Sequence, residues 1–371
     1  MNVDADRPDT APQREVPREV AAGMSDPGPD GPIERYESEL AGYFGVDHAV
    51  AVSSGTAALH CALRAGGIGA GDEVLVPALS VVMSVAPIRY VGAVPVFVDC
   101  GADGVGLDFD DLLAKLTNRS RAVLPVHLWG RVGDIAGLAE LAEQHGLRVI
   151  EDACQAIGTC VDGYWAGTVG DFGCFSTKDG KILASGEGGF VLTGDGDLAE
   201  RSRAFRTHWQ TPPPGQAPYA ELAYNYRLAE PLAAIARDSL ARLDDLLGRR
   251  RHQSRLLVSL LADTPGLVAV GEGCREAWNR HCPLLRVGLP RPRQFSTRLA
   301  ELGVANSVGT FGLMAAELRP VFREYARTPC LRAREVIDTT LAVAIGERDG
   351  DDHIHSIAAT ITKEAIRWGN D

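Results

Sequence analysis

Two lysines stand three positions apart in the segment FSTKDGKILASGEGG, residues 175–189. They are Lys178 and Lys181, and of the 37 lysines and arginines in the chain only four are lysines. Arginine does not lose its proton in a protein, whereas lysine can become a neutral amine, form a Schiff base with an aldehyde and later carry a proton. The segment therefore suggests a lysine kept for chemistry, although a lone lysine beside glycines is more often a solvated surface charge.

The segment AVAVSSGTAALHCAL is a second candidate, because a strand pattern leads through Ser53-Ser54-Gly55-Thr56 directly into a helix pattern. Free N–H groups at a helix amino terminus, a glycine that permits close backbone approach and hydroxyl donors together suit a phosphate group. The alternative is an ordinary N-cap, which for such a segment taken alone is the commoner arrangement.

The third candidate is LRVIEDACQAIG, residues 147–158, a buried-strand pattern that ends in Glu151-Asp152 and is followed by Gln155. A carboxylate at the carboxyl end of a parallel strand lies where ligand sites form, and it can hold a ring nitrogen in its protonated state. The alternative is that one of the two acids caps the next helix.

The elements that would position these residues follow an alternating pattern. Apolar strand-like runs and helical patterns alternate from residue 31 to about 245, including an apolar helix near 81–91, which predicts an α/β domain with a largely parallel sheet. A long arginine-bearing helix then leads into a smaller carboxyl-terminal domain, predicted over 246–371. Residues 1–30 are rich in Pro and Asp and predict a flexible tail.

Composition excludes several classes of function. A formal net charge of -12 argues against a general affinity for nucleic acid or anionic membranes. The one basic run, GRRRHQSR at 248–255, is interpreted as the solvent-facing side of an amphipathic helix. The eight cysteines are scattered without metal-ligand spacing, so we expect reduced thiols, no metal site and a cytoplasmic location. No apolar run reaches the ~18 residues of a membrane span.

With these motifs in order, the chain resembles the DegT/StrS family of fold type I, pyridoxal-phosphate-dependent sugar aminotransferases. The resemblance covers nearly the whole chain after residue 30. It rests on the Lys-x-x-x-x-Gly-Glu-Gly-Gly element and on the segments RYESELAGYFGVDHAVAVSSGTAALHCAL, GDEVLVPAL, YVGAVPVFVD, LPVHLWG, VIEDACQAIG, GDFGCFS and YNYRLAEPLAA. It implies a large domain with a mostly parallel sheet flanked by helices, and a smaller carboxyl-terminal α+β domain.

The resemblance also implies roles for individual residues. The family's Schiff-base lysine lies five residues before the first glycine of GEGG and five after the serine of the Phe-Ser pair, and both counts select Lys181. Asp152 would pair with the pyridinium nitrogen, and Asn225 would reach the cofactor phosphate of the neighbouring subunit in a homodimer. The cofactor-binding set implied for pyridoxal 5'-phosphate is Gly55, Thr56, Val81, Asp152, Gln155, Ser176, Lys181 and Asn225.

Two positions depart from the family pattern. Val81 stands in PALSVVMS where many relatives place an aromatic residue on the cofactor ring, and a valine offers no aromatic face. Ile157 stands where relatives often have His. These departures weaken the expectation that the acceptor is an ordinary nucleotide-linked hexose.

Four further residues have less specific interpretations. His127 and Trp129 in PVHLWG match a family motif and are expected to act in packing or behind the site. Arg280 and His281 either approach the substrate or lie on the surface, and the sequence does not separate these alternatives.

The resulting hypothesis is an aminotransferase that moves an amino group from glutamate or glutamine to a keto sugar, cyclitol or similar ketone of secondary metabolism. One alternative is another pyridoxal-phosphate reaction on the same scaffold, such as elimination or carbon–carbon bond chemistry. Retention of Lys181 argues against the family's sugar dehydratases, which have His there. A non-catalytic regulatory protein is a further alternative, and it would be expected to have lost the lysine, the acid or the phosphate residues.

Overall fold

The computed structural model describes residues 31–271, 277–346 and 349–369, so the predicted tail at 1–30 lies outside the described residues. The described strands are β1 His48–Val52, β2 Glu73–Pro77, β3 Val94–Val98, β4 Ser120–Val123, β5 Arg148–Asp152, β6 Cys160–Val161, β7 Tyr164–Trp165, β8 Phe172–Ser176, β9 Gly189–Thr193, β10 Leu267–Ala269, β11 Leu284–Val287 and β12 Thr340–Ala342. The described α-helices are α1 Pro32–Phe44, α2 Gly55–Ala65, α3 Val82–Tyr90, α4 Phe109–Ala114, α5 Ile135–Gln144, α6 Gly196–Arg206, α7 Glu230–Ala241, α8 Leu243–Leu260, α9 Pro292–Glu301, α10 Leu331–Thr339 and α11 Asp351–Trp368.

Seven strands form the main sheet in the order β1-β9-β8-β5-β4-β2-β3. The neighbours from β8 to β3 are parallel, whereas β9 is antiparallel to both β8 and β1. Because β1 and β8 both oppose β9, they run in the same direction. The carboxyl ends of β1, β2, β4, β5 and β8 therefore meet at one edge of the sheet, together with the start of β9. The predicted α/β fold is confirmed.

The apolar runs of the sequence form strands that are covered on both faces. Successive residues of a strand point to opposite faces. Val50 and Val52 accordingly pack in one hydrophobic cluster with α2 and α3, while Ala49 and Ala51 pack in the cluster on the other face, with α1 and α5. Parallel sheets buried in this way need near-continuous apolar strands, which is the pattern that the sequence shows.

A second, three-stranded sheet of β10, β11 and β12 lies in the carboxyl-terminal part, with a separate cluster that includes residues of α8, α9 and α11. The predicted long helix after residue 245 is α8, which begins at Leu243. Among the described residues, no helix combines the length and apolar character needed to cross a membrane.

The basic run at 248–255 corrects one expectation. It lies on α8 as expected, but Arg250 is 3% exposed, and its guanidinium donates to the His281 carbonyl at 2.6 Å. Arg251 also turns inward and donates to the Gly158 carbonyl at 3.1 Å. A guanidinium presents several donors in a fixed planar arrangement, so it can replace its hydration shell with backbone carbonyls. The solvent-facing interpretation is wrong for these two arginines.

The fully buried carboxylate of Glu151 fixes the loop that precedes β8. Its oxygens accept hydrogen bonds from His127 Nε2 at 2.8 Å and from the backbone N–H groups of Gly167, Val169 and Gly170 at 2.8–2.9 Å. Burial acts to raise the pKa of this carboxyl. The His127 hydrogen bond and charge, with the backbone donors, outweigh that effect and hold the pKa below its usual value.

We expect Glu151→Gln to lower the free energy of unfolding at pH 7 by at least about 1–3 kcal/mol. The substitution replaces one carboxylate oxygen by an NH2 group, which cannot accept the hydrogen bonds that this oxygen accepts. The pKa of Glu151 is lower in the folded protein than in the unfolded chain. Its ionisation therefore stabilises the fold above about pH 4 and this contribution is lost as the pH falls further. Urea unfolding between pH 3.5 and pH 7 measures both effects.

Glu143→Gln is the control for this experiment, because Glu143 lies exposed on α5. The control should unfold like the wild type. A Glu151→Gln protein that unfolds at the wild-type urea concentration at pH 7 would show that the buried carboxylate does not hold the loop.

Candidate functional site

The common edge of the sheet brings three predicted segments together. Ser53–Thr56 follows β1, Asp152 ends β5 and Ser176 ends β8. The closeness of these segments is measured at Gly55, where an added Cβ would lie 2.7 Å from Cys154 Sγ and 2.8 Å from Ser176 Cβ. Only a residue without a side chain fits at that position.

The amino terminus of α2 is compatible with both interpretations of its sequence, the N-cap and the anion site. Ser54 is the N-cap, and its Oγ accepts the backbone N–H of Ala57 at 3.1 Å. Helix geometry leaves the N–H groups of Gly55 and Thr56 without carbonyl partners inside the helix. The ordinary cap is therefore present, and beside it two donors at the positive end of α2 are suited to an anion.

Lys181 lies in the hairpin between β8 and β9. Two pairs close this hairpin: Thr177 Oγ1 lies 2.8 Å from Ser185 Oγ, and Lys178 forms a parallel bridge with Gly186. The Lys181 N–H donates to the Lys178 carbonyl at 3.1 Å within the turn. The lysine is thus held by the backbone at the same edge as the three strand ends.

The two lysines of this hairpin have different environments. Lys178 is exposed, whereas Lys181 is largely buried. Burial lowers the pKa of Lys181 from its ordinary value, and the charge of Lys178 lowers it further, against the opposing influence of Cys154, Asp152 and Cys282. A lowered pKa raises the fraction of neutral amine at neutral pH, which is the reactive form of a lysine.

The glycines that follow Lys181 allow a close turn of the backbone. Gly186 and Gly188 have φ of 96° and 147°, values that residues with a side chain rarely adopt. An added Cβ at Gly189 would lie 2.6 Å from the Ser54 carbonyl carbon. The hairpin therefore presses against the loop that begins α2.

Asp152 is buried at the end of β5, with 5% of its surface exposed. Its Oδ1 accepts the backbone N–H of Cys154 at 3.1 Å, within a turn and not at the start of a helix. The alternative that Glu151 or Asp152 caps a following helix is wrong, since neither carboxylate has that position. Asp152 also interacts electrostatically with Lys181, which places the two predicted catalytic groups in one site.

Gln155 follows Asp152 in the same loop, and its Oε1 accepts the backbone N–H of Trp129 at 2.7 Å. His127 and Trp129 follow β4 and lie behind the site, His127 on Glu151 and Trp129 on Gln155. This agrees with the positions that the sequence suggested for them.

The alternatives for His281 are separated by its position. His281 is partly buried, and its carbonyl accepts the Arg250 guanidinium at 2.6 Å. Burial lowers the pKa of His281 well below its ordinary value, and the charges of Lys181 and Arg250 lower it further, so the fold brings His281 within electrostatic range of Lys181. Arg280 stacks on Trp278, with its guanidinium carbon 5.0 Å from the ring centroid. His281 and Arg280 thus belong to a segment that contacts the site.

Three further predicted residues are located by their neighbours and their burial. Val81 is the N-cap residue of α3 and packs, half-buried, against the cluster that includes residues of α2 and α3. Ile157 is buried, with 6% of its surface exposed. Asn225 is exposed between Tyr224 and Tyr226, whose rings stack at 5.0 Å. The Ser53 N–H donates to the Tyr226 carbonyl at 2.8 Å, which ties the Asn225 segment to the end of β1.

Sequence reasoning missed Trp278 and Asn279. Trp278 Nε1 donates to the Trp129 carbonyl at 3.0 Å, and Asn279 Nδ2 donates to the Gln155 carbonyl at 2.8 Å. More than 100 residues separate each pair along the chain, and no local motif marks them. The one available signal was their position next to Arg280 and His281.

Comparison with known proteins agrees with this geometry. A family model described as the DegT/DnrJ/EryC1/StrS aminotransferase family matches residues 15–362. The chain is 35% identical over 333 residues to the UDP-N-acetyl-3-dehydro-alpha-D-glucosamine 3-aminotransferase of Acidithiobacillus ferrooxidans, covering 88% of this chain and 87% of that protein. It is 39% identical over 252 residues to the L-glutamine:2-deoxy-scyllo-inosose aminotransferase of Streptomyces kanamyceticus, covering 63% of this chain and 59% of that protein.

A solved structure also resembles the whole fold. The X-ray structure of DesV of S. venezuelae in complex with a ketimine intermediate matches with a TM-score of 0.81 and 32% identity, covering 94% of this chain and 93% of that one. The family match spans both the main sheet and the three-stranded sheet, and it includes each segment that forms the site. By its sequence and its fold, the chain belongs to the DegT/DnrJ/EryC1/StrS aminotransferase family.

Proposed function

We propose that the protein uses pyridoxal 5'-phosphate to transfer an amino group from glutamate or glutamine to a keto sugar, cyclitol or similar ketone. The observation that carries this proposal is Lys181, a partly buried lysine with a lowered pKa, at the same sheet edge as a helix amino terminus and a buried carboxylate. The names of two relatives support the acceptor class, one being a keto-sugar derivative and the other an inosose. The second relative's name also supports glutamine as the donor.

The residues present fit pyridoxal phosphate. The N–H groups of Gly55 and Thr56 and the hydroxyl of Ser176 would hold its phosphate, and the absence of a side chain on Gly55 lets Ser176 lie close to this helix end. Asp152 is an acceptor for a protonated pyridine nitrogen, and Lys181 is the amine for the aldehyde carbon. When bound, the cofactor supplies a conjugated ring that accepts electrons from a bond breaking at the substrate carbon.

Each side chain then has a defined task. The buried carboxylate of Asp152 keeps the ring nitrogen protonated by placing a negative charge beside it. Lys181 holds and moves a proton at Nζ, and the lowered pKa keeps a share of this amine neutral and able to accept that proton. Val81 covers one side of the site by packing alone.

We further propose a homodimer in which Asn225 reaches the cofactor phosphate of the second subunit. Large apolar side chains are exposed on α3 and on the segment that leads to Asn225: Met83 at 58%, Tyr90 at 57%, Tyr219 at 67% and Leu222 at 90%. Exposed apolar groups that lie close together suit a protein interface. Tyr90 and Tyr224 both contact the ring of His60, which joins the two segments into one surface.

The proposal also includes a domain division and a cellular compartment. A division of the chain into a large domain to about residue 245 and a smaller one after it is supported by the cluster of the three-stranded sheet, whose members all follow residue 245. The cluster on the main sheet also takes in later residues, among them Trp278, Phe322 and Ile337. The seven cysteines of the described residues are free thiols, which favours a reducing compartment such as the cytoplasm.

We expect the protein loaded with pyridoxal phosphate to show a visible absorption band that is lost in Lys181→Ala, because only a lysine amine at this position can bond the aldehyde. Glutamate or glutamine should bleach the band, and the amino group should then appear on an added keto sugar or cyclitol. Absorption spectra and product analysis by mass spectrometry measure these steps.

Lys178→Ala is the matched control, since Lys178 is the exposed lysine of the same hairpin. It should retain the band. A band that persists in Lys181→Ala would remove the assignment of this lysine. A band that no amino donor bleaches would favour elimination or carbon–carbon bond chemistry on the same scaffold.

We expect Gly55→Ala to weaken pyridoxal phosphate binding by about tenfold to a hundredfold, since the methyl group would displace Ser176, a proposed phosphate donor, and a hydrogen bond to a charged group is worth roughly 1.5–3 kcal/mol. The added methyl group would overlap Cys154 Sγ and Ser176 Cβ. Fluorescence titration of the cofactor-free protein measures the affinity. Gly42→Ala on α1 is the control, because an added Cβ there meets no atom within 4 Å. Equal affinity of the two variants would place the phosphate elsewhere.

We expect Lys181→Ala and Asn225→Ala to be nearly inactive separately and to restore activity when their subunits are mixed. In a mixed dimer, one site takes Lys181 from one subunit and Asn225 from the other. Random exchange should recover about a quarter of the wild-type activity, because half of the dimers are mixed and each has one intact site. Absence of recovery, with subunit exchange verified by mass spectrometry, would mean that Asn225 serves its own subunit's site.

A further inference from the structure

Trp129 has an unusual backbone conformation next to the candidate site. Its φ of 60° and ψ of 13° lie in the left-handed region, which a bulky side chain occupies only when its surroundings hold it there. Hydrogen bonds hold the peptide groups on both sides. The Trp129 N–H donates to Gln155 Oε1 at 2.7 Å, and the Trp129 carbonyl accepts from Trp278 Nε1 at 3.0 Å.

The first of these hydrogen bonds decides how the Gln155 amide is turned. A backbone N–H can only donate, so the side-chain atom that faces it must be the oxygen Oε1. The Gln155 amide therefore presents its two Nε2–H donors on the side away from Trp129. An amide free to turn would offer either an acceptor or a donor to a ligand, and here the Trp129 peptide selects the donor.

The second hydrogen bond brings in the segment that leads to β11. Two guanidinium groups lie over the Trp278 ring, that of Arg131 at 5.4 Å and that of Arg280 at 5.0 Å from its centroid. The next residue, Asn279, donates from Nδ2 to the Gln155 carbonyl at 2.8 Å and to the Ile157 carbonyl at 2.9 Å. Both ends of Gln155, its backbone carbonyl and its side chain, are thus fixed through this segment.

The atoms around Gly130, next to Trp129, are closely packed. Gly130 follows Trp129 with φ of 81°, and an added Cβ there would lie 2.1 Å from Asn279 Oδ1 and 2.9 Å from the Gln155 carbonyl oxygen. Thr159 adds a further connection, since its Oγ1 donates to the Gly130 carbonyl at 2.9 Å. Trp129, Gln155 and Asn279 therefore form one rigid arrangement beside Asp152.

We propose that Trp278 and Trp129 are positioning residues that turn the Gln155 amide so that Nε2 donates a hydrogen bond to the ring oxygen of pyridoxal phosphate. This inference rests on the proposed function, in which Gln155 lies close to the ring hydroxyl. A donor at that oxygen stabilises its ionised form, whereas an acceptor would stabilise the protonated form. The Trp278–Trp129–Gln155 chain thus sets the pH at which the bound cofactor titrates.

Other ionisable groups surround the same site from several segments and contribute to that titration. They are Glu151, Asp152 and Cys154 at the end of β5, His127 and Arg131 after β4, Lys178 and Lys181 in the hairpin, Arg250 and Arg251 on α8, and Arg280, His281 and Cys282 before β11. A test must leave all of these groups in place, which substitutions of Trp278 and Gln155 do. Trp278→Phe adds no charge, whereas Gln155→Glu adds one carboxylate at Gln155 itself.

The first experiment follows the visible absorption band of the loaded protein between pH 5 and pH 10 in Trp278→Phe. Phenylalanine keeps an aromatic ring beside the two arginines and removes the N–H that donates to the Trp129 carbonyl. We expect the pH midpoint of the band to rise by about one unit, because the ring oxygen loses part of the donor that favours its ionised form.

Trp209→Phe is the matched control. Trp209 is fully buried and contacts Phe205, and its Nε1 has no hydrogen-bond partner within the described part of the chain. This variant makes the same change of side chain without removing a hydrogen bond, so its midpoint should equal that of the wild type. A Trp278→Phe midpoint equal to that of Trp209→Phe overturns the inference.

Gln155→Glu provides a second test that does not depend on the Trp278 variant folding. A carboxylate keeps an oxygen for the Trp129 N–H and places an acceptor where the amide has a donor. We expect the midpoint to rise by more than about one unit, since two oxygens then face each other. An unchanged or lowered midpoint in Gln155→Glu overturns the inference. Failure of the proposed function is a different result, in which the wild type forms no Lys181-dependent band.

Discussion

The direction of four strands determines where chemistry can occur in this protein. Strands β1, β5 and β8 run the same way, and β9 runs against its two neighbours. The ends of the first three and the start of the fourth therefore share one edge. A strand running the other way would carry its polar end to the opposite edge, about 15 Å away for a five-residue strand. The amino terminus of α2, the buried acid and the lysine hairpin are close together for this reason.

The polar groups at this edge are supported by a layer of buried hydrogen bonds. Glu151 accepts four donors below the site and fixes the loop before β8. Trp278 and Asn279 bind the loops that follow β4 and β5, from a segment that continues into the three-stranded sheet. Unpaired polar groups are costly in such surroundings, so each bond also restricts where its neighbours can lie. Support of this kind keeps a site in one geometry.

Electrostatics explains why a lysine is placed in a chain that otherwise prefers arginine. Arg250 and Arg251 can satisfy their guanidinium groups with carbonyls and remain charged when buried. Burial lowers the pKa of Lys181 and also that of Arg251. A lysine amine starts from a lower pKa than a guanidinium, so only the lysine can gain a neutral fraction near neutral pH. Similar surroundings thus suit a structural cation in one residue type and an amine that can lose its proton in the other. Val81, at the start of α3, is a half-buried aliphatic residue, so this position offers no aromatic face.

The amino-acid sequence by itself determined the strand and helix pattern and the polar residues at the strand ends, because strand periodicity and helix caps are local properties of the chain. The resemblance to the family, and not a local property, selected Lys181 over Lys178 as the candidate. Only the tertiary structure decided that Arg250 lies buried, that Asp152 caps no helix and that His281 lies within electrostatic range of Lys181. It also decided that Trp278 and Asn279 reach Trp129 and Gln155, which are 149 and 124 residues distant from them respectively. Such contacts depend on how whole elements pack, and no nearby residues encode them, so they became visible only when the two sheets were in place.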